Sequence, residues 1–188
     1  MRKSLLVAAV LALVPAAAHA QFGMKGGVTF NTIDTESGGV DFNNKTGFVG
    51  GVSYGFRLGD NLGLQPELLY VEKGGESGNA EVKLSYLEIP VMVRFMAATG
   101  RIQPFLLAGG YADFKISDDC SVEQAGECLE EPKSSDFGLA LGAGLRFGGV
   151  TGLTVEIRWD RGLANINSIE DGFDARNRAV MLMAGLSF

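Results

Sequence analysis

Arg176-Asn177-Arg178-Ala179-Val180-Met181-Leu182-Met183-Ala184-Gly185-Leu186-Ser187-Phe188 is the stretch whose reading decides the fold. From Val180, alternate residues (Val180, Leu182, Ala184, Leu186, Phe188) make one apolar face. A period of two over this length is a strand pattern. Phe22, Met24, Gly26, Val28 and Phe30 show the same alternation far upstream. Two such strands can pair and close a sheet into a barrel without a free edge. If the apolar face of that barrel points outward, it suits lipid better than water.

Working inward from these two segments gives eight alternating stretches, at 22–31, 45–57, 62–73, 82–96, 101–115, 136–147, 152–164 and 176–188. Their connections alternate in kind. Leu58-Gly59-Asp60-Asn61, Ala97-Ala98-Thr99-Gly100 and Gly148-Gly149-Val150-Thr151 read as short turns, and longer polar loops fall near 32–44, 74–81, 116–135 and 165–175. Tight periplasmic turns and long outer loops are the asymmetry of bacterial outer-membrane barrels. The expected fold is therefore all-β, an eight-stranded antiparallel up-and-down transmembrane β-barrel. Pro66, Pro90 and Pro104 lie inside the strands; proline cannot donate to a ladder, so these positions predict bulges or later strand starts.

The two faces separate by chemistry. Leu153, Val155, Ile157 and Trp159 oppose Thr154, Glu156, Arg158 and Asp160, and Phe137 to Phe147 alternates with Asp136, glycines and Arg146. On the assigned topology Phe22, Phe56, Phe95, Phe147 and Phe188 collect at one end of the apolar face. Phe30, Phe48, Tyr70, Phe137 and Trp159 collect at or near the other. Two aromatic bands flanking aliphatic residues match the girdles of a membrane barrel. A soluble lipocalin-like barrel, apolar inside, is the competing reading.

Residues 1–20 read as a signal peptide. Arg2 and Lys3 precede an apolar run from Leu5 to Leu13, and Ala18-His19-Ala20 supplies a small-x-small cleavage pattern. Residues 21–188 then form one domain. With Arg2 and Lys3 removed, 14 basic residues face 22 acidic ones, a formal charge of −8. An acidic chain without a basic cluster is a poor ligand for nucleic acid.

At the third and fourth strands, Leu64-Gln65-Pro66-Glu67-Leu68-Leu69-Tyr70 with Lys73-Gly74, and Tyr86-Leu87-Glu88-Ile89-Pro90-Val91, resemble the two central motifs of the small outer-membrane β-barrel family called porin family or PorT-like. Gly23-Met24-Lys25-Gly26-Gly27 and Pro104 to Gly110 are similar to further segments of it, so the resemblance covers 22–188. It implies an eight-stranded barrel in the outer membrane of a diderm bacterium, and the prolines belong to its motifs. No single activity comes with it.

The inward-facing set is predicted to include Lys25, Arg57, Glu67, Glu88, Arg94, Arg146, Glu156, Arg158 and Asp160. Charges in a narrow lumen are costly unless paired, so an ion-pair network plugging the interior is expected, with Glu67, Glu88, Arg94 and Arg146 at its centre. A charged constriction in a narrow porin-like channel for ions or small solutes is the alternative. Cys120 and Cys128, the only cysteines, fall in the longest loop, and in an exported chain the default is a disulfide worth about 2–3 kcal/mol.

No metal and no cofactor are expected. The sole histidine, His19, leaves with the leader, and the acidic loop around Asp118 to Glu131 has no EF-hand spacing. The missing histidine also argues against the histidine-assisted serine of lipid A-modifying barrels. The expected role is a monomeric envelope scaffold or a presenter of outer loops to an unnamed extracellular or envelope partner. Outer-membrane lipid would surround it, and periplasmic chaperones and the barrel-assembly machinery would handle its biogenesis.

Overall fold

A computed structural model of the chain describes residues 21–35, 45–77, 80–97, 100–122, 135–148, 151–163 and 175–188. Its strands are β1 (Gln21–Thr35), β2 (Lys45–Arg57), β3 (Leu62–Ser77), β4 (Ala80–Met96), β5 (Ile102–Val122), β6 (Ser135–Gly148), β7 (Gly152–Gly162) and β8 (Ala175–Ser187). Each pairs antiparallel with the next in sequence, and β8 returns to β1 to close a barrel. The closing seam runs from Gly23–Ser187 to Thr35–Ala175 and uses the two alternating segments with which the sequence is most outspoken. Carried round all eight strands, the register line through Phe22, Tyr54, Pro66, Val91, Gly110, Leu139, Arg161 and Arg178 comes back to β1 at Thr32, ten residues above its start. That stagger tilts the strands. Eight tilted strands enclose a space that side chains fill.

The apolar face looks outward. Leu141 is 51% exposed, Val155 41% and Leu182 49%, whereas Arg146 (2%), Glu156 (4%) and Arg158 (0%) are buried. Phe22, Phe95 and Phe188 ring the end that carries the short turns, and Phe30, Phe48, Tyr70 and Phe137 ring the other; all are exposed. Phe56, Phe147 and Trp159 share that face and are half-buried. Phe56 packs edge-on against Tyr54, with ring centroids 4.8 Å apart. Phe22 and Phe30 stand eight residues apart on one face of β1. For strands tilted by roughly 40° that is about 20 Å of barrel height, close to the apolar band of a membrane barrel.

Three features differ from the sequence reading. Residues 32–35, 74–77, 80–81 and 116–122 are strand rather than loop. β3 and β4 stay paired to Ser77–Ala80, and β4 pairs with β5 as far as Ala80–Val122. Polar composition there misled, because a strand beyond the membrane has no apolar face to show. Secondly, the prolines cause no bulge. The β2–β3 ladder skips the positions opposite Pro66, and the β3–β4 ladder skips those beside Pro90, but the register is the same on either side. Pro104 sits near the start of β5, paired with Leu145. Among the described residues the one register shift lies at Ser85/Tyr86. Thirdly, glycines on the inner face admit rings as well as polar chains. A Cβ on Gly144 would stand 2.4 Å from the Phe105 ring, and one on Gly152 would stand 2.7 Å from the Arg146 guanidinium.

The leader, Cys128 and the side chain of Cys120 lie outside the described residues, so the cleavage site and the Cys120–Cys128 disulfide do too.

Candidate functional site: the charged lumen

The inward parity of each strand decides which polar residues meet on the axis. Residues two apart share a face, so Glu67 brings Gln65 and Lys73 with it, Arg158 brings Glu156 and Asp160, and Glu88 brings Arg94. These side chains sort into three tiers along the barrel.

The middle tier is a closed ion-pair cluster. Arg158 Nη2 donates to Glu67 Oε1 at 3.0 Å, to Glu67 Oε2 at 2.9 Å and to Glu156 Oε1 at 2.6 Å, and its Nε donates to Glu156 Oε1 at 3.0 Å. Lys25 Nζ joins the same two carboxylates, 2.9 Å from Glu67 and 3.0 Å from Glu156. Gln65 Nε2 adds a further donor to Glu67 at 2.6 Å. Two cations and two carboxylates from β1, β3 and β7 thus lock across the lumen. Such pairing offsets much of the desolvation cost of burying four charges. The Glu67 and Arg158 side chains have no solvent exposure at all.

Toward the short-turn end the tier is basic. Arg57 and Arg94 lie in one cross-strand row with Gly63 between them. Arg94 donates to Gln65 Oε1 at 3.1 Å and stacks 3.9 Å from the Phe105 ring centroid, where a cation is attracted by the ring quadrupole. Arg146 donates to Gln103 Oε1 at 3.1 Å, to Ser187 Oγ at 3.2 Å and to the Gly148 carbonyl at 3.3 Å. Arg57 is exposed at the end of β2 rather than enclosed.

Toward the long-loop end the tier is acidic. Glu88 stands directly opposite Asp113, and Asp113 directly opposite Asp136, a row of carboxylates across β4, β5 and β6. Like charges so placed repel. Lys73 relieves the row: its Nζ lies 2.5 Å from Asp113 and 3.3 Å from Glu88, and it sits between the Tyr86 and Tyr111 rings at 5.5 and 5.1 Å. Asp160 is buried alongside, and its carboxylate oxygens are shielded from solvent without a hydrogen bond among the described residues. Among those residues no group of His, Cys, Asp or Glu is arranged to hold a metal ion.

The structure brings Lys25, Glu67, Glu156 and Arg158 together. It sets Arg94 and Arg146 below them and Glu88 and Asp160 above. The hub is Arg158, not the Glu67, Glu88, Arg94 and Arg146 quartet expected from the sequence. Lys73, Asp113 and Gln65 are missing from the expected lumen set, although parity with Glu67 finds Lys73 and Gln65; Asp136 is placed on the polar face of its strand but not in the network. The lumen also holds apolar material: Val49, Leu69, Val71, Ala179, Met181 and Met183 form one buried cluster. Met92, Phe105, Leu107, Tyr111 and Ala140 form another.

A closed eight-stranded cylinder with greasy walls, aromatic rims and a charged interior defines the class of small transmembrane β-barrels. The chain belongs to the outer membrane protein beta-barrel domain family, whose sequence profile matches residues 15–168. Its setting is accordingly the outer membrane of Gram-negative bacteria. Solved structures of similar fold include Neisserial surface protein A (17% identity, TM-score 0.55, covering 90% of this chain and 97% of that one). The outer membrane enzyme PagL is also similar (17%, 0.52, covering 88% and 97%), as is OprG from Pseudomonas aeruginosa (14%, 0.51, covering 90% and 96%). At these identities the likeness is one of fold. No curated protein sequence matches the chain.

Proposed function

We propose that this protein is a non-conducting, non-catalytic outer-membrane scaffold that presents its long-loop end to an extracellular or envelope partner. The observation that carries the reading is the Arg158–Glu67–Glu156–Lys25 cluster, which joins opposite walls of the lumen through contacts of 2.6 to 3.0 Å. A permeating ion would have to break it, leaving buried charges without partners. The continued pairing of β3, β4 and β5 past the barrel wall supports the presenting role, since it offers backbone edges beyond the lipid. The lack of any histidine after His19 supports a non-catalytic role. Monomeric state, removal of the leader after Ala20, a Cys120–Cys128 disulfide, and passage through periplasmic chaperones and the barrel-assembly machinery complete the proposal.

Single-channel recording in planar bilayers tests it. The wild type is expected to give no reproducible conductance steps, and Arg158→Ala to introduce leak. Steady steps from the wild type whose size changes on Arg146→Ala would favour the narrow channel instead.

A further inference from the structure

Charge in this barrel is divided by end. Apportioned by the strand ends they lie in or connect, 19 of the 22 acidic residues belong to the long-loop half. Eight of the 14 basic residues that follow the leader accompany them, a formal charge of −11. The other three acidic residues, Asp60, Glu67 and Glu156, share the rest of the barrel with six basic ones, a formal charge of +3. Beyond the wall, Glu76 and Glu81 are direct cross-strand partners at the top of β3 and β4, and like charges so placed repel. In the lumen beneath, the Glu88–Asp113–Asp136 row has the amine of Lys73 against it. Asp160 is 1% exposed, and neither of its carboxylate oxygens has a hydrogen-bond partner among the described residues. One oxygen each of Glu88, Asp113 and Asp136 is likewise buried without one. Buried carboxylates short of donors call for positive charge nearby.

We infer that the long-loop end is a docking surface for a cationic polypeptide, a partner segment rich in lysine and arginine. This names the partner of the presenting role proposed above and rests on that reading. The sign of the charge repels anionic partners, nucleic acid and lipid phosphates among them. The carboxylates are spread over several strands, with Asp34 on β1, Glu76 and Glu81 on β3 and β4, and Asp118 and Asp119 on β5. Among the described residues none of their groupings is arranged round a metal ion. A partner whose own charges are strung along a chain therefore matches this end better than one small cation. The buried tier adds a fixed negative charge beneath the surface, where salt screens it less than it screens exposed groups. Such a field speeds encounter with a basic partner and makes its affinity depend on salt.

The experiment places the folded full-length protein in nanodiscs of zwitterionic phosphatidylcholine and titrates it into fluorescein-labelled decalysine, read by anisotropy. Saturable binding that weakens as sodium chloride is raised is expected, with none for labelled decaglutamate. An ion pair at a protein surface is worth about a threefold change in affinity, so E76Q/E81Q is expected to weaken binding roughly ninefold. Asp60→Asn, at the short-turn end, is expected to leave it unchanged. Unchanged heat-modifiable gel mobility certifies that each variant is folded. Equal affinity of wild type and E76Q/E81Q, or an equal loss in Asp60→Asn, overturns the inference. So does displacement of decalysine by micromolar calcium, which would assign the charge to a metal ion. Conductance tests the scaffold reading separately: no steps together with no decalysine binding overturns the cationic partner and leaves the scaffold standing.

Discussion

Arg158 shows how one side chain can tie opposite walls of a membrane barrel together. Its guanidinium meets both oxygens of Glu67 and one of Glu156 with no exposure to solvent. Removing it leaves two buried carboxylates to share Lys25. Arg158→Met is expected to destabilise the barrel by about 3–5 kcal/mol in urea unfolding from detergent micelles. Adding Glu67→Gln should recover part of that loss, and a double-mutant cycle should give a coupling of about 0.5–3 kcal/mol. A coupling of zero would mean that the pair does not interact. Steric fit matters at the same scale. Gly144 lies against the Phe105 ring, so Gly144→Val overpacks the lumen and is expected to cost about 1–3 kcal/mol in the same assay.

Strands differ in how openly they declare their faces. β7 alternates Leu153, Val155, Ile157 and Trp159 with Glu156, Arg158 and Asp160, and the structure buries the charged set. β5 is harder to read. Leu106, Ala108 and Ala112 point out while Phe105, Leu107 and Tyr111 point in, so both faces are largely apolar, and Gln103 and Asp113 are what betrays the inner one. Tyr111 and Phe105 are lumen residues that period-two reasoning alone cannot separate from lipid-facing ones. The contacts within the lumen are less legible still. Neighbours on the axis come from strands as distant in sequence as Lys25 and Glu156, and the stagger that aligns them appears only once the barrel closes. The lipid-facing assignment predicts an asymmetry within β6. Leu141→Arg should destabilise the barrel in bilayers by about 2–4 kcal/mol, as expected for a cation near the membrane midplane. Arg at an outer-end position such as Ser135 should cost at most about 1 kcal/mol. Equal costs at the two positions would contradict that placement.

At the scale of the whole molecule, three electrostatic tiers sit inside one apolar jacket: basic near the termini, neutralised at the centre and acidic toward the long loops. The β2–β3 ladder runs as far as Val49–Val71 while β3 and β4 stay paired to Ser77–Ala80, so the outer part of the β3–β4–β5 sheet has fewer neighbours than the wall below. Amide exchange is therefore expected to be faster at 74–83 than at 64–71, and uniform protection across both would argue against this geometry. Fold class follows from alternation, and the inside-outside sense from the aromatic bands and the glycine-rich charged face. The membrane limits of β3, β4 and β5 do not, because polar strand outside lipid looks like loop.

The claim on which everything rests is that the apolar face meets acyl chains, and Trp159, the only tryptophan, reports on it directly. The measurement is its fluorescence in bilayers that carry either brominated acyl chains or an aqueous quencher. Strong quenching by chains brominated near the headgroup, weaker quenching by chains brominated deeper and little effect of iodide are predicted. Quenching by iodide with none from brominated lipid would place Trp159 in a wet lumen and turn the barrel inside out.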